Sequence, residues 1–187
     1  MIARFVIGTA LVGTAACQSK KQPATDSAAP TAAAAPAPAF GRTATLDGLG
    51  KVKIGATAAE IASALGESLP PPKVAEVSCR YMRPTTLPAG VGIMLVNDSV
   101  ARIDIDSAGI QTSEGAGVGE DETRVVEIYR DRVAVTPHKY TGPTGHYLTV
   151  SPVGDTLRRI IFETDGHRVT KYRVGRRPAV EWIEGCS

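Results

Sequence analysis

The chain has 187 residues, and its 21 Lys and Arg stand against 19 Asp and Glu, a formal charge of +2. That balance excludes a protein that gathers nucleic acid or an anionic membrane through its overall field. Beyond the first residues, no stretch approaches the roughly 20 apolar residues of a membrane-spanning helix.

Residues 1–16 read as a signal peptide. Arg4 supplies a thin positive start, and residues 5–16 are uncharged and end in small side chains. The segment Thr14-Ala15-Ala16-Cys17 resembles the lipobox of bacterial lipoproteins, although Thr14 stands where an aliphatic residue is usual. The resemblance implies cleavage before Cys17 and a diacylglyceryl group on its thiol. It also implies a lipid anchor in the cell envelope. Gln18 is not the Asp that marks inner-membrane retention, so the expected place is the outer membrane, facing the periplasm. An ordinary secretory signal cut near Ala16 is the alternative.

Residues 17–43 form a Pro/Ala-rich tether with almost nothing to bury, expected to be disordered. As a flexible coil it spans on the order of 25–30 Å. Residues 44–187 are long enough for one domain with a real core. Cys79 and Cys186 remain after Cys17 is assigned to lipid. In an oxidising compartment, with no Cys-x-x-Cys and no His at ligand spacing, they are most simply a disulfide.

Within the domain, residues 54–65 align without gaps on residues 118–129. Each copy has an aliphatic-Gly pair, a cap residue and a short amphipathic helix. Thr57 with Glu60 spells a capping box, Asp121 fills the second cap position, and Gly66 is a stop signal. Ile61 with Leu65, and Val125 with Ile128 and Tyr129, form the inward stripes. Strands are expected at 77–82, 92–96 and 100–106, with Asn97-Asp98 as a hairpin turn. The second set is 133–140, 146–150, 159–164 and 169–174, with Asp165-Gly166 as a two-residue turn and 180–183 as a further edge. The expected fold is α+β: tandem pseudo-repeats at about 46–112 and 113–187, each a short helix followed by three or four antiparallel strands, with the helices packed on a sheet.

The run Ile54-Gly55-Ala56-Thr57-Ala58-Ala59-Glu60-Ile61, with Leu65-Gly66, resembles the opening of the SmpA/OmlA lipoproteins, accessory subunits of outer-membrane barrel assembly. The tandem arrangement resembles the β-lactamase inhibitor protein. These resemblances imply an architecture and a protein-binding role, and they carry over no functional residue.

Four constellations of residues bear on chemistry. Gly115-Ala116-Gly117-Val118-Gly119 lacks dinucleotide-loop spacing and is followed by three carboxylates that repel phosphate, so it reads as a flexible loop. Asp104 and Asp106 share one strand face, as a half-solvated strand requires. His138 and His146 bracket a Gly/Pro-stiffened hairpin that brings them near one another but offers no third metal ligand. Lys171 and Arg173 alternate with Thr170, Tyr172 and Val174, so their face is expected in solvent. There is no Gly-x-Ser-x-Gly and no acid–base–nucleophile set.

The function expected from sequence is therefore non-enzymatic and without cofactor: a scaffold of outer-membrane assembly or an inhibitor of an envelope hydrolase, bound to a protein partner. The alternative is a lectin-like module for envelope carbohydrate. Candidate binding residues are Tyr140, His146, Tyr147 and Trp182, whose rings join apolar area to a polar tip.

Overall fold

A computed structural model of the chain describes residues 41–68 and 78–186, all within the unit Ala37–Ser187. The signal peptide, Cys17, nearly all of the tether and Val77 lie outside the described residues.

The order begins with three very short strands, β1 (Thr43–Thr45), β2 (Gly48–Leu49) and β3 (Val52–Lys53). Helix α1 (Ala58–Leu65) follows, then β4 (Cys79–Met82), β5 (Val91–Val96), β6 (Ser99–Ile105) and β7 (Gln111–Thr112). The second part holds α2 (Glu122–Tyr129), β8 (Val133–Pro137), β9 (His146–Val150), β10 (Arg158–Thr164) and β11 (Val169–Arg176). The chain is α+β, with one seven-stranded antiparallel sheet ordered β4-β5-β6-β11-β10-β9-β8 and a small sheet ordered β3-β2-β1-β7.

The local signals act as their chemistry requires. Thr57 accepts from the Glu60 N–H, and Glu60 accepts from the Thr57 N–H at 2.7 Å, closing the capping box. Gly66 ends α1 in the left-handed conformation, φ 66°. Asn97 and Asp98 both take positive φ, 49° and 58°, as the tight β5–β6 hairpin demands. Asp121 caps α2 by position only: its side chain makes no capping bond and instead pairs with Arg168 at 3.4 Å.

Both helices and the small sheet cover one face of the large sheet. The core between them holds Ile61, Ile93, Ile103, Val125, Leu148 and Val174. Phe162 stacks on Tyr172 with centroids 5.3 Å apart, and Tyr129 meets Phe162 at 5.7 Å. Each such ring or branched side chain gains about 1.5–3 kcal/mol by burial. The hydroxyls of two of these rings are satisfied: Tyr172 donates to the Ile110 carbonyl and Tyr129 shares a hydrogen bond with Thr112.

The two helix approaches are hydrogen-bonded alike. The Gly55 N–H donates to Val100 O and the Val100 N–H to Ala56 O, both at 2.8 Å. The Gly119 N–H donates to Val169 O and the Val169 N–H to Glu120 O, both at 2.9 Å. The flanking bridges are Thr57 with Ser99 and Asp121 with Arg168. Gly55 and Gly119 have φ of 92° and 91°, a region closed to most side chains.

Several expectations need correction. Residues 180–183 form no edge strand; Ala179–Glu181 is a 3-10 turn. Strand β8 stops at Pro137, three residues early, because the His138 ring accepts from the Tyr140 and Thr141 N–H groups and turns the chain out of the ladder. The β10–β11 connection is longer than two residues: Asp165 accepts from the N–H groups of His167 and Arg168, closing a turn between the paired Thr164 and Val169. The segment 115–119 is folded into the structure: Ala116 is fully buried, and its carbonyl accepts from the Thr112 N–H.

Candidate functional site

The second face of the large sheet decides what the molecule can do. Strand β5 is apolar on both faces, with Met94 and Val96 turned away from the helices. A bulge opposite Met94 and Leu95 leaves Ala101 as an extra residue in β6, so Ala101 and Arg102 both serve that second face. Gly175 lies beside them because a Cβ there would sit 2.5 Å from the Ala101 carbonyl oxygen.

The C-terminal residues 177–186 cross this face as a strap. Ala179 packs with Met94 and Ala101, and Val180 with Tyr147 and Ile161. The strap is tied at its end by the Cys79–Cys186 disulfide, across a sequence separation of 107. Arg102 donates to the carbonyls of Ala179 at 3.1 Å and Trp182 at 2.6 Å, and Arg173 donates to that of Val180 at 2.7 Å. Strap backbone thus replaces water as the partner of two buried guanidinium groups.

Beside the strap lies a charged cleft of about 280 Å³, lined among others by Tyr81, Arg102, Asp104, Glu163, Lys171 and Arg173. The face carrying Lys171 and Arg173 was expected in solvent. Arg173 is only 4% exposed, because the strap and Glu163 cover it. Glu163 accepts from His138 Nε2 at 2.9 Å, from Lys171 at 3.1 Å and from Arg173. Burial pushes its carboxyl up, but the hydrogen bond from His138 and the charges of Arg173 and Lys171 outweigh it and hold the carboxyl below its usual value. His138 Nδ1 accepts from the N–H groups of Tyr140 and Thr141, so the proton on Nε2 points at Glu163. Tyr81 donates to Asp104 and accepts from Arg102; burial first, then the Asp104 charge, pushes its hydroxyl up to about 12.

The four expected binding residues are not brought together. Tyr147 and His146 are neighbours on β9 and therefore face opposite ways. His146 turns to the start of α2, pairing with Glu122 at 2.9 Å, so it does not meet His138. Tyr147 is 7% exposed, stacked under His138 at 4.3 Å, and its hydroxyl has no partner. Tyr140 is exposed and donates to Glu184 on the strap. Trp182 lies on the strap, partly exposed. Among the described residues, no group of three or more His, Cys, Asp or Glu side chains is placed to hold a metal ion.

What the sequence reading missed is an apolar trough along the strap. One cavity of about 730 Å³ is lined by Ile54, Val153 and Leu157, and a second of about 350 Å³ by Val96, Pro178 and Trp182. Leu157 and Arg176 line both, so the two are adjacent. Val153 is 87% and Leu157 66% exposed, the two most exposed large hydrophobic residues described. The signal in sequence was slight: Val153 and Leu157 sit in a Pro/Gly/Asp loop whose own pattern calls for polar residues. No family model, curated protein or solved structure matches the chain.

Proposed function

We propose that this chain is a non-enzymatic lipoprotein of the bacterial cell envelope, anchored through Cys17, probing its surroundings with an α+β domain that binds a protein partner as an assembly scaffold or a hydrolase inhibitor. The observation that carries the reading is the exposed trough of Val153, Leu157 and Trp182. Val153 and Leu157 stand exposed at the rim of a cavity, a shape that receives the apolar side chains of a partner. The anchor reading rests on Thr14-Ala15-Ala16-Cys17 and is supported by the Cys79–Cys186 bridge, which suits an oxidising compartment. No helix among the described residues is long and apolar enough to cross a membrane.

The domain is further read as a tandem pseudo-repeat. The matched bonds of Gly55 and Gly119, and a sheet order in which β6 meets β11 at the centre, support two related halves.

Photocrosslinking in envelopes tests the function. A benzophenone side chain at Leu157 or Trp182 is expected to trap one discrete protein, and the same group at exposed Thr123 on α2 is not. No trapped protein at either position overturns the reading. Carbohydrate binding is the second reading, favoured by the polar cleft with Tyr81 and Asp104. It is supported instead if glycan fragments shift the NMR signals of that cleft and leave the trough unmoved.

A further inference from the structure

We infer that the trough takes an extended peptide segment of the partner, with one carboxylate flanked on each side by an apolar residue, and that Arg176 reads the carboxylate. The inference rests on the protein-binding function above and specifies its chemistry.

The argument is one of charge and position. The acids along the trough are already engaged. Asp155 holds Arg158 at 2.6 Å, and Glu181 holds Arg177 at 2.7 Å. Arg176 differs: its guanidinium donates to Ser99 Oγ at 3.1 Å and has no carboxylate partner among the described residues. A guanidinium offers five N–H donors in a planar fork that fits a carboxylate with two parallel bonds. The cation borders both cavities, with Ile54 and Val153 on one side and Val96 and Trp182 on the other. A fatty acid, charged at one end, would fill half of such a trough and leave the other half wet. An acidic side chain within a peptide fills both.

In an extended peptide, alternate residues face the same way. The sequence read by the trough is therefore apolar-x-Asp/Glu-x-apolar. Val153 and Trp182 take the two apolar side chains, Leu157 lies between them beside Arg176, and the intervening residues face solvent.

The test uses a displayed library of random nine-residue peptides and the full chain carrying Cys17→Ser, which leaves every described residue in place. Enrichment of the acid-centred pattern is expected. Arg176→Glu is expected to replace the central acid with Lys or Arg, and Arg176→Lys to keep it. A synthetic consensus peptide should bind at least about tenfold more weakly to Leu157→Asp, by fluorescence anisotropy, a change equivalent to about 1.4 kcal/mol. Circular dichroism confirms that each variant is folded, and the charge swap at half-buried Arg176 reads out specificity independently of affinity.

A consensus without an acid, or one that Arg176→Glu leaves unchanged, overturns the inference. So does binding to phosphatidylglycerol vesicles that Leu157→Asp abolishes, or self-association through the same residues in sedimentation. If the library yields no acid-centred pattern while the Leu157 crosslink still traps a protein, this inference falls and the protein-binding function stands. If both fail, both fall.

Discussion

Replacing Glu163 by Gln removes the only carboxylate among the described residues that pairs with Arg173 beneath the strap. Glu163 has 3% and Arg173 5% of its side chain in contact with solvent. Gln keeps the shape and one acceptor, so the main loss is charge. It leaves a buried guanidinium uncompensated, which costs about 3–5 kcal/mol. With a urea dependence of about 2 kcal/mol per M, the unfolding midpoint at pH 7 should fall by roughly 2 M. The sign of the pH effect follows from the lowered carboxyl. A group depressed in the folded state stabilises it above the ordinary value of 4.5 and loses that contribution as pH falls through the folded value. The gap between wild type and Glu163→Gln should therefore be widest near neutrality and close as pH falls through the lowered folded value. Adding Arg173→Met to Glu163→Gln should recover most of the loss, because removing both charges costs far less than stranding one. A loss under about 1 kcal/mol at pH 7, or a gap that does not change with pH, would refute the reasoning.

Four further outcomes follow from single features. Cys79→Ser and Cys186→Ser should each cost about 5 kcal/mol, the chain-entropy value for a closed loop of this separation, and the double variant no more than either; an additive double would contradict a shared bridge. Cys17→Ala should yield protein without N-terminal lipid by intact mass, and a wild type equally lacking lipid would remove the anchor. Tyr147→Phe should leave stability unchanged or raise it by up to about 1 kcal/mol, since its buried hydroxyl has no partner to lose; a loss beyond that on urea unfolding would reveal one. Gly55→Ala and Gly119→Ala should each cost about 1–3 kcal/mol and match within about 0.5 kcal/mol, because both glycines hold the same strained φ without steric neighbours; unequal losses would argue against equivalent halves.

The elements legible in the sequence were those with a local cause. The capping box of α1, the Gly66 stop, the Asn97-Asp98 turn and the strands β5, β6, β9, β10 and β11 all depend on neighbours a few residues apart. The four short strands β1, β2, β3 and β7 were not legible, because two or three residues cannot display a period. Parallel pairing of β1 with β7, with Ala44 opposite Thr112, comes from the shared core alone. The binding residues failed for a related reason. Tyr147 and His146 are adjacent in sequence, but the strand turns one under His138 and the other to Glu122.

By itself the sequence determined the α+β class, both helices, the inward stripes at Ile61 and Val125 and the pairing of the two remaining cysteines. Each rests on side-chain chemistry or on elimination among few residues. Only the tertiary structure decided the second face of the sheet. Arg102, Glu163 and Arg173 occupy positions that alternate outward, and alternation alone assigns such residues to water. They are buried because a segment far along the chain, pinned by Cys186, lies over them and supplies carbonyls in place of solvent. The same strap raises one wall of the trough at Trp182 against Leu157 from another loop. A local pattern reports which way a side chain points; what covers it is set by contacts across the whole length of the domain.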